Sequence, residues 1–138
     1  MVLAVYQENG EELERLTLPT ETPQETLPPM VDFFRQHHVD ALGIASFGPV
    51  ELDETSPDYG SITTTPKPGW RNTPILRILK DGRDIPVGFD TDVNAAAIAE
   101  CEMGAAKGCS SAVYVTIGTG IGAGIVADGH AIHGMLHP

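Results

Sequence analysis

The sequence predicts an α/β fold in the order β-β-α-β-α-β-α followed by β-β, and three observations lead to it. Short apolar strands alternate with stretches of helical periodicity. Glycine and proline, 15 and 11 of the 138 residues, gather at 43–74 and 118–134, where they punctuate those elements. The chain is 41% hydrophobic and 20% charged, which suits one domain of ordinary size or two small half-domains and excludes a disordered acidic tail or a coiled coil.

Residues 2–6 are a short apolar strand, Glu8-Asn9-Gly10 is a turn, and 13–18 alternates apolar and polar, so the chain opens with a β-hairpin. Thr22-Pro23-Gln24-Glu25 has capping-box spacing with proline at the first helical position, and Leu27, Met30, Val31, Phe33 and Phe34 follow at helical intervals. Pro28-Pro29 interrupts that pattern and leaves the start of the regular helix open between Thr22 and Pro29. A buried strand at 41–45 ends in the turn Ser46-Phe47-Gly48-Pro49. In the polar excursion 51–74, residues 61–65 read as β and Pro66-Lys67-Pro68-Gly69-Trp70 as a loop; Trp70, the sole tryptophan, suits either a pocket rim that stacks on a sugar or a core plug. A short helix at 74–80 stops at Asp81-Gly82, and 86–90 is a strand. The clearest helix, 92–107, is rich in alanine and ends at Gly108. Strands at 112–117 and 123–127 flank a glycine-rich connection, and Asp128-Gly129 is a hairpin turn.

Eight basic against nineteen acidic residues give a net charge of -11, which repels phosphate backbones and anionic membrane surfaces and argues against a nucleic-acid partner. An anionic ligand then needs backbone N–H groups, because cationic side chains are scarce. No apolar run approaches a membrane span and nothing resembles an export signal, so the expected compartment is the cytoplasm. Cys101 and Cys109, about 12 Å apart by helix rise, are expected to be reduced thiols.

Three constellations suit chemistry. Gly118-Thr119-Gly120-Ile121-Gly122-Ala123-Gly124 places glycines at a strand-to-strand turn, where N–H groups can approach phosphate; glycine content alone equally fits a bulged hairpin. Phe89-Asp90-Thr91-Asp92-Val93-Asn94 joins a strand's carboxyl end to a helix start, the usual ligand crevice of open α/β sheets. Asp92 there can take a proton from a substrate hydroxyl, with Thr91 and Asn94 as polyol partners, or can simply cap the helix. The turn 46–49 lies at a second strand end that can face the same crevice. His130, His133 and His137 have a tempting spacing, yet no cysteine or acid nearby in sequence completes a zinc set.

Taken together, the stretches at 43–49, 91–97 and 113–126 resemble the ROK family of sugar kinases and repressors, most of all its bacterial fructokinases, which also share Asp32-Phe33-Phe34 and the 64–70 loop. The resemblance implies an actin-like ATPase-domain fold of two ribonuclease-H-like lobes. Residues 1–110 would be most of the first lobe and 111–138 the start of the second, its phosphate-loop hairpin. It implies Asp92 as general base, Gly48, Pro49, Thr91 and Asn94 around the sugar, and Gly118, Thr119, Gly120 and Gly122 as the second phosphate loop. The implied partners are a hexose and ATP, with Mg2+ as cofactor and a homodimeric full-length parent. Members of the family begin with a strand leading into a first phosphate loop and continue past the equivalent of Pro138 to a Glu-x-Gly-His sugar motif, a structural Zn2+ site and an adenine lobe. The chain is therefore expected to be an inactive piece of a fructokinase about twice its length. The family's regulatory branch, a sugar-binding domain behind a DNA-binding helix pair, is disfavoured by the net charge, and glucose or mannose remains open as substrate. Truncation is expected to expose Val113, Val115, Ile117, Ile125 and Val126, and the catalytic reading demands that Asp92, Gly48-Pro49 and 118–120 face one crevice.

Overall fold

The structure is a computed structural model and describes residues 1–118 and 120–134. Thr119, Met135, Leu136, His137 and Pro138 lie outside the described residues, and with them the threonine of the glycine loop and the third histidine.

The opening hairpin pairs β1 (Val2–Tyr6) antiparallel with β2 (Glu12–Thr17), with Leu3 opposite Leu16 and Val5 opposite Glu14. Leu3 and Val5 turn into the core, whereas β2 carries its charged side chains outward. Helix α1 (Pro23–Arg35) follows. The Glu25 carboxylate accepts from the Thr22 N–H at 3.3 Å and its hydroxyl at 2.5 Å, which fixes the first turn. The helix start left open by Pro28-Pro29 is thereby settled at Pro23, and the helix runs straight through both prolines. Each proline costs about 3 kcal/mol in a helix interior, but Leu27, Met30, Val31, Phe33 and Phe34 are all buried, and each contributes about 1.5–3 kcal/mol. The carbonyls that lose a donor belong to Gln24 and Glu25, which are exposed, so water can satisfy them.

Strand β3 (Leu42–Ser46) is followed by the long excursion to helix α2 (Ile75–Lys80). The strand expected at 61–65 shrinks to a single residue, Ile62, bridged to Val50 on one side and Thr73 on the other. Pro49 precedes one bridging partner and Pro74 follows the other, and a proline has no N–H with which to lengthen a ladder. Trp70 is the anchor of this excursion. It is 1% exposed, its Nε1–H donates to the Glu21 carbonyl at 2.7 Å, and its ring meets Phe47 edge-on with centroids 5.3 Å apart. Of the two roles left open for it, the structure selects the core plug.

Strand β4 (Val87–Thr91) lies parallel to β3, and helix α3 (Asp92–Met103) starts directly from it. The helix ends four residues earlier than expected. Gly104 and Ala106 N–H groups converge on the Glu100 carbonyl, and the Glu100 carboxylate takes the Ala105 N–H at 2.7 Å, which closes the last turn. Strands β5 (Ser111–Ile117), β6 (Ile121–Ala127) and β7 (His130–Ala131) form an antiparallel sheet whose β5 and β6 pack on α3. One face of this sheet is bare: Val113, Val115, Ile117 and Ile125 are exposed, Ile117 at 77%. Val126, expected with them, is 2% exposed, because strand alternation turns it to the opposite face. Cys101 and Cys109 are both free thiols.

Near the C-terminal end of α1, both ring nitrogens of His37 meet acceptors, Nδ1 the Phe33 carbonyl at 2.8 Å and Nε2 the Glu14 carboxylate of β2 at 3.0 Å. Only the imidazolium can donate to both, so the Phe33 carbonyl first and Glu14 second raise its pKa above the ordinary 6.5. A raised value means that this stabilisation is complete below pH 6.5 and disappears as pH rises through the folded value. The stability gap between wild type and His37→Gln is therefore expected to be wider at pH 5 than at pH 9 in denaturant titrations; a gap that widens toward alkaline pH contradicts it. Trp70→Ala removes the plug together with its hydrogen bond and is expected to lower unfolding free energy by about 3–5 kcal/mol. A loss near zero in the same titrations would show the excursion to be independent of the core.

Candidate active site

Register brings the second and third constellations, 89–94 and the 46–49 turn, together. In the parallel pair, Ser46 stands opposite Thr91, so β3 and β4 end at the same edge. The chain leaves β3 through Phe47 and the cis Gly48-Pro49 bond, and leaves β4 through Asp92, the first residue of α3. Gly48, Pro49 and Asp92 thus occupy one carboxyl edge of the sheet, the crevice in which open α/β sheets bind ligands.

The first constellation, the glycine-rich hairpin, is packed closely on the start of α3. A Cβ built on Gly124 would lie 2.1 Å from the Val93 carbonyl oxygen and 2.8 Å from the Asn94 nitrogen, a distance no side chain tolerates. Strand β6 therefore rests its bare backbone on the first turn of α3. At Gly122 a Cβ would stand 3.1 Å from Val93 Cγ1, so the contact continues toward the hairpin tip. At the tip, the Gly118 N–H donates to the Gly120 carbonyl at 2.9 Å, and open space surrounds both glycines.

The first turn of α3 divides its polar work. Thr91, not Asp92, is the cap: its buried hydroxyl accepts from the Asn94 N–H at 3.2 Å. Asp92 is exposed, and among the described residues its Oδ1 accepts only from the adjacent Val93 N–H at 2.9 Å. Asn94 is buried and donates its Nδ2–H to Asp90 Oδ1 at 2.8 Å. That oxygen also takes the Thr91 N–H at 2.7 Å, while Asp90 Oδ2 lies 2.8 Å from His133 Nε2. Thr91 and Asn94 accordingly shape the turn from beneath, and Asp92 is the carboxylate that faces outward. Beside them the Tyr59 ring meets Phe89 edge-on; burial first, then the charges of Glu54 and Asp90, push its hydroxyl above the ordinary range, so it stays a donor at neutral pH.

Sequence reasoning missed Asp90, His133 and Gly124. Asp90 stood inside the quoted motif but carried no signal distinguishing it from a strand residue. The contact of His133 spans 43 residues and has no local signature. His130 instead places its Nδ1 against the Asp128 carbonyl at 2.8 Å, and among the described residues no three His, Cys, Asp or Glu side chains are gathered to hold a metal ion. No helix among them is long and apolar enough to cross a membrane.

A parallel pair whose second strand runs into α3, with a glycine-rich antiparallel hairpin packed on the first turn of that helix, defines an α/β architecture, and comparison with known proteins says which. The ROK family profile matches residues 1–137, and the chain belongs to that family. It is 46% identical over 136 residues to a fructokinase of Pediococcus pentosaceus and 47% over 143 residues to one of Zymomonas mobilis subsp. mobilis (strain ATCC 31821 / ZM4 / CP4); each match covers 99% of this chain, but 47% and 48% of those proteins. Among solved structures, a ROK family glucokinase from Streptomyces griseus in complex with glucose and AMPPNP superposes with a TM-score of 0.77 at 26% identity, over 99% of this chain and 44% of that one. The chain spans about half the length of the curated relatives it matches, and its fold is the actin-like ATPase fold expected from the resemblance.

The Gly124 contact is testable by itself. Gly124→Ala meets the Val93–Asn94 peptide of α3 and is expected to cost at least about 1–3 kcal/mol, whereas Gly118→Ala enters open space and should stay within about 0.5 kcal/mol. Equal effects of the two in thermal or denaturant unfolding would mean that β6 does not rest on α3.

Proposed function

We propose that the protein to which this chain belongs transfers a phosphoryl group from ATP to a hexose, fructose first, yielding fructose 6-phosphate. The observation that supports this reading is the exposed Asp92 carboxylate at the first residue of α3, a turn on which β6 packs through Gly124 and beside which β3 ends. A general base must reach a hydroxyl proton while a phosphoryl donor approaches from the other side, and the edge described above offers both approaches. Asp92 accepts the proton as the hydroxyl oxygen attacks. Thr91 and Asn94, tied to Asp90, keep the turn beneath Asp92 in one geometry, so little reorganisation is needed at the moment of reaction. Gly48 and Pro49 border the sugar.

The hairpin tip suits phosphate, since the exposed glycines at 118 and 120 let backbone approach an anion closely in a chain poor in cations. Thr119 would add a hydroxyl donor there. Mg2+ would arrive with the nucleotide and neutralise its phosphates. Residues 1–110 then form the sugar-side lobe and 111–138 the beginning of the nucleotide-side lobe, in a cytoplasmic, homodimeric enzyme.

In the full-length enzyme, Asp92→Asn is expected to lower kcat by about 10²–10⁴ while sugar affinity changes little, because a general base acts in the transition state. Equal losses in kcat and affinity would reduce Asp92 to a structural role. Residues 1–138 alone are expected to give no turnover in a coupled assay, since a single glycine loop leaves the transferred group without the rest of its donors.

A further inference from the structure

We propose that the trough between α1 and α2 binds a soluble organic phosphate, a phosphomonoester whose other end is apolar or planar. The trough has a volume of about 880 Å³, the size of a small-molecule site. Its walls are the facing sides of the two helices, with Leu27 and Val31 of α1 across from Ile78 of α2. At one end the turn 69–73 closes it, where a Cβ on Gly69 would stand 3.3 Å from Pro23 Cδ. At the other end the Arg35 guanidinium of α1 reaches the Asp81 carboxylate just past α2, at 2.6 and 2.9 Å. None of the described residues that line it belongs to 46–49, 89–94 or 118–124, so it is a different place from the edge where Asp92 stands.

Charge says what the trough recognises. The chain has nineteen acidic side chains against eight basic ones, yet three of the eight, Arg35, Arg71 and Arg77, line this trough. Arg35 is committed to Asp81 and, at 3.5 Å, to Asp32, the two acids of the lining. Arg71 and Arg77 have neither an ion pair nor a side-chain hydrogen bond among the described residues. Three arginines and two aspartates leave the lining net positive within a chain of charge -11. Two uncommitted guanidinium groups beside an apolar floor are complementary to an anion with an apolar body.

Guanidinium groups on two separate elements, the 69–73 turn and α2, call for an anion that offers oxygens in more than one direction. A carboxylate has two coplanar oxygens and one charge, which a single arginine fork saturates. A phosphomonoester has three terminal oxygens and close to two charges at neutral pH, enough for both arginines. The floor sets the other half of the ligand: Leu27, Val31 and Ile78 offer carbon surface without hydrogen-bonding groups, so a sugar phosphate would bury hydroxyls there unpaired. A lipid headgroup shares the phosphate chemistry, but a chain of charge -11 is repelled by the anionic membrane that would present it. The occupant is therefore a small soluble molecule.

The test uses the full-length protein and phenyl phosphate as the probe, with binding measured by calorimetry. Phenyl phosphate is expected to bind at least about tenfold more tightly than inorganic phosphate, which lacks the apolar body, and than benzoate, which lacks the second charge. The double variant Arg71→Gln, Arg77→Gln is expected to weaken that binding by about tenfold or more. Both arginines are exposed, so its thermal unfolding should match that of the wild type. Absence of binding, undiminished binding to the double variant, or equal affinity for inorganic phosphate overturns the proposal. Attachment to phosphatidate-containing vesicles without binding of phenyl phosphate overturns it too, since that assigns the phosphate to a membrane surface.

Discussion

The contact on which the site depends is one that a side chain would forbid. Because residue 124 is glycine, β6 settles on the Val93 carbonyl and the Asn94 nitrogen, and the glycine hairpin is carried against the first turn of α3. Any other residue there would push the hairpin off by the size of a methyl group, and Gly122 would lose its contact with Val93 in turn. Everything proposed for the site presupposes this seating: Asp92 has meaning as a base only if a phosphate-binding turn stands beside it.

The second element of that arrangement is Asp90. Its carboxylate, 16% exposed, gathers a backbone N–H from Thr91, a side-chain N–H from Asn94 and the His133 ring, and so joins β4, α3 and the segment after β7 at a single point. Hydrogen bonds to a carboxylate are stronger than neutral ones, and a half-buried carboxylate with three partners rigidifies what it touches. Asp92, two residues on, is left exposed, with its neighbour's N–H as its one hydrogen-bond partner among the described residues. One aspartate holds the turn and the other stays exposed.

The legible part of this protein was local. Capping-box spacing at Thr22–Glu25 marks the start of α1, Asp128-Gly129 marks the last turn with both residues in left-handed conformation, and the alternation of 112–117 gives β5. The motif order named the family, and the carboxyl-edge rule placed Gly48-Pro49 and Asp92 together. What escaped was non-local. Whether Trp70 covers a pocket or fills the core depends on Glu21 and Phe47, 49 and 23 residues away, and no sequence pattern links them. The length of a strand at 61–65 depends on prolines beside its partners rather than within it. Thr91, expected beside the sugar, also caps α3, because the helix begins at Asp92 and the Thr91 hydroxyl reaches the Asn94 N–H.

The central claim is that a sugar meets this chain at the edge where β3 and β4 end. The most direct measurement is a titration of ¹⁵N-labelled residues 1–138 with fructose, followed through amide resonances. The account predicts concentration-dependent shifts at Gly48, Asp92 and Asn94, with the buried Trp70 indole unmoved. Shifts that leave those three in place and appear along α1, α2 or the Trp70 loop would put the sugar on a different face and contradict it.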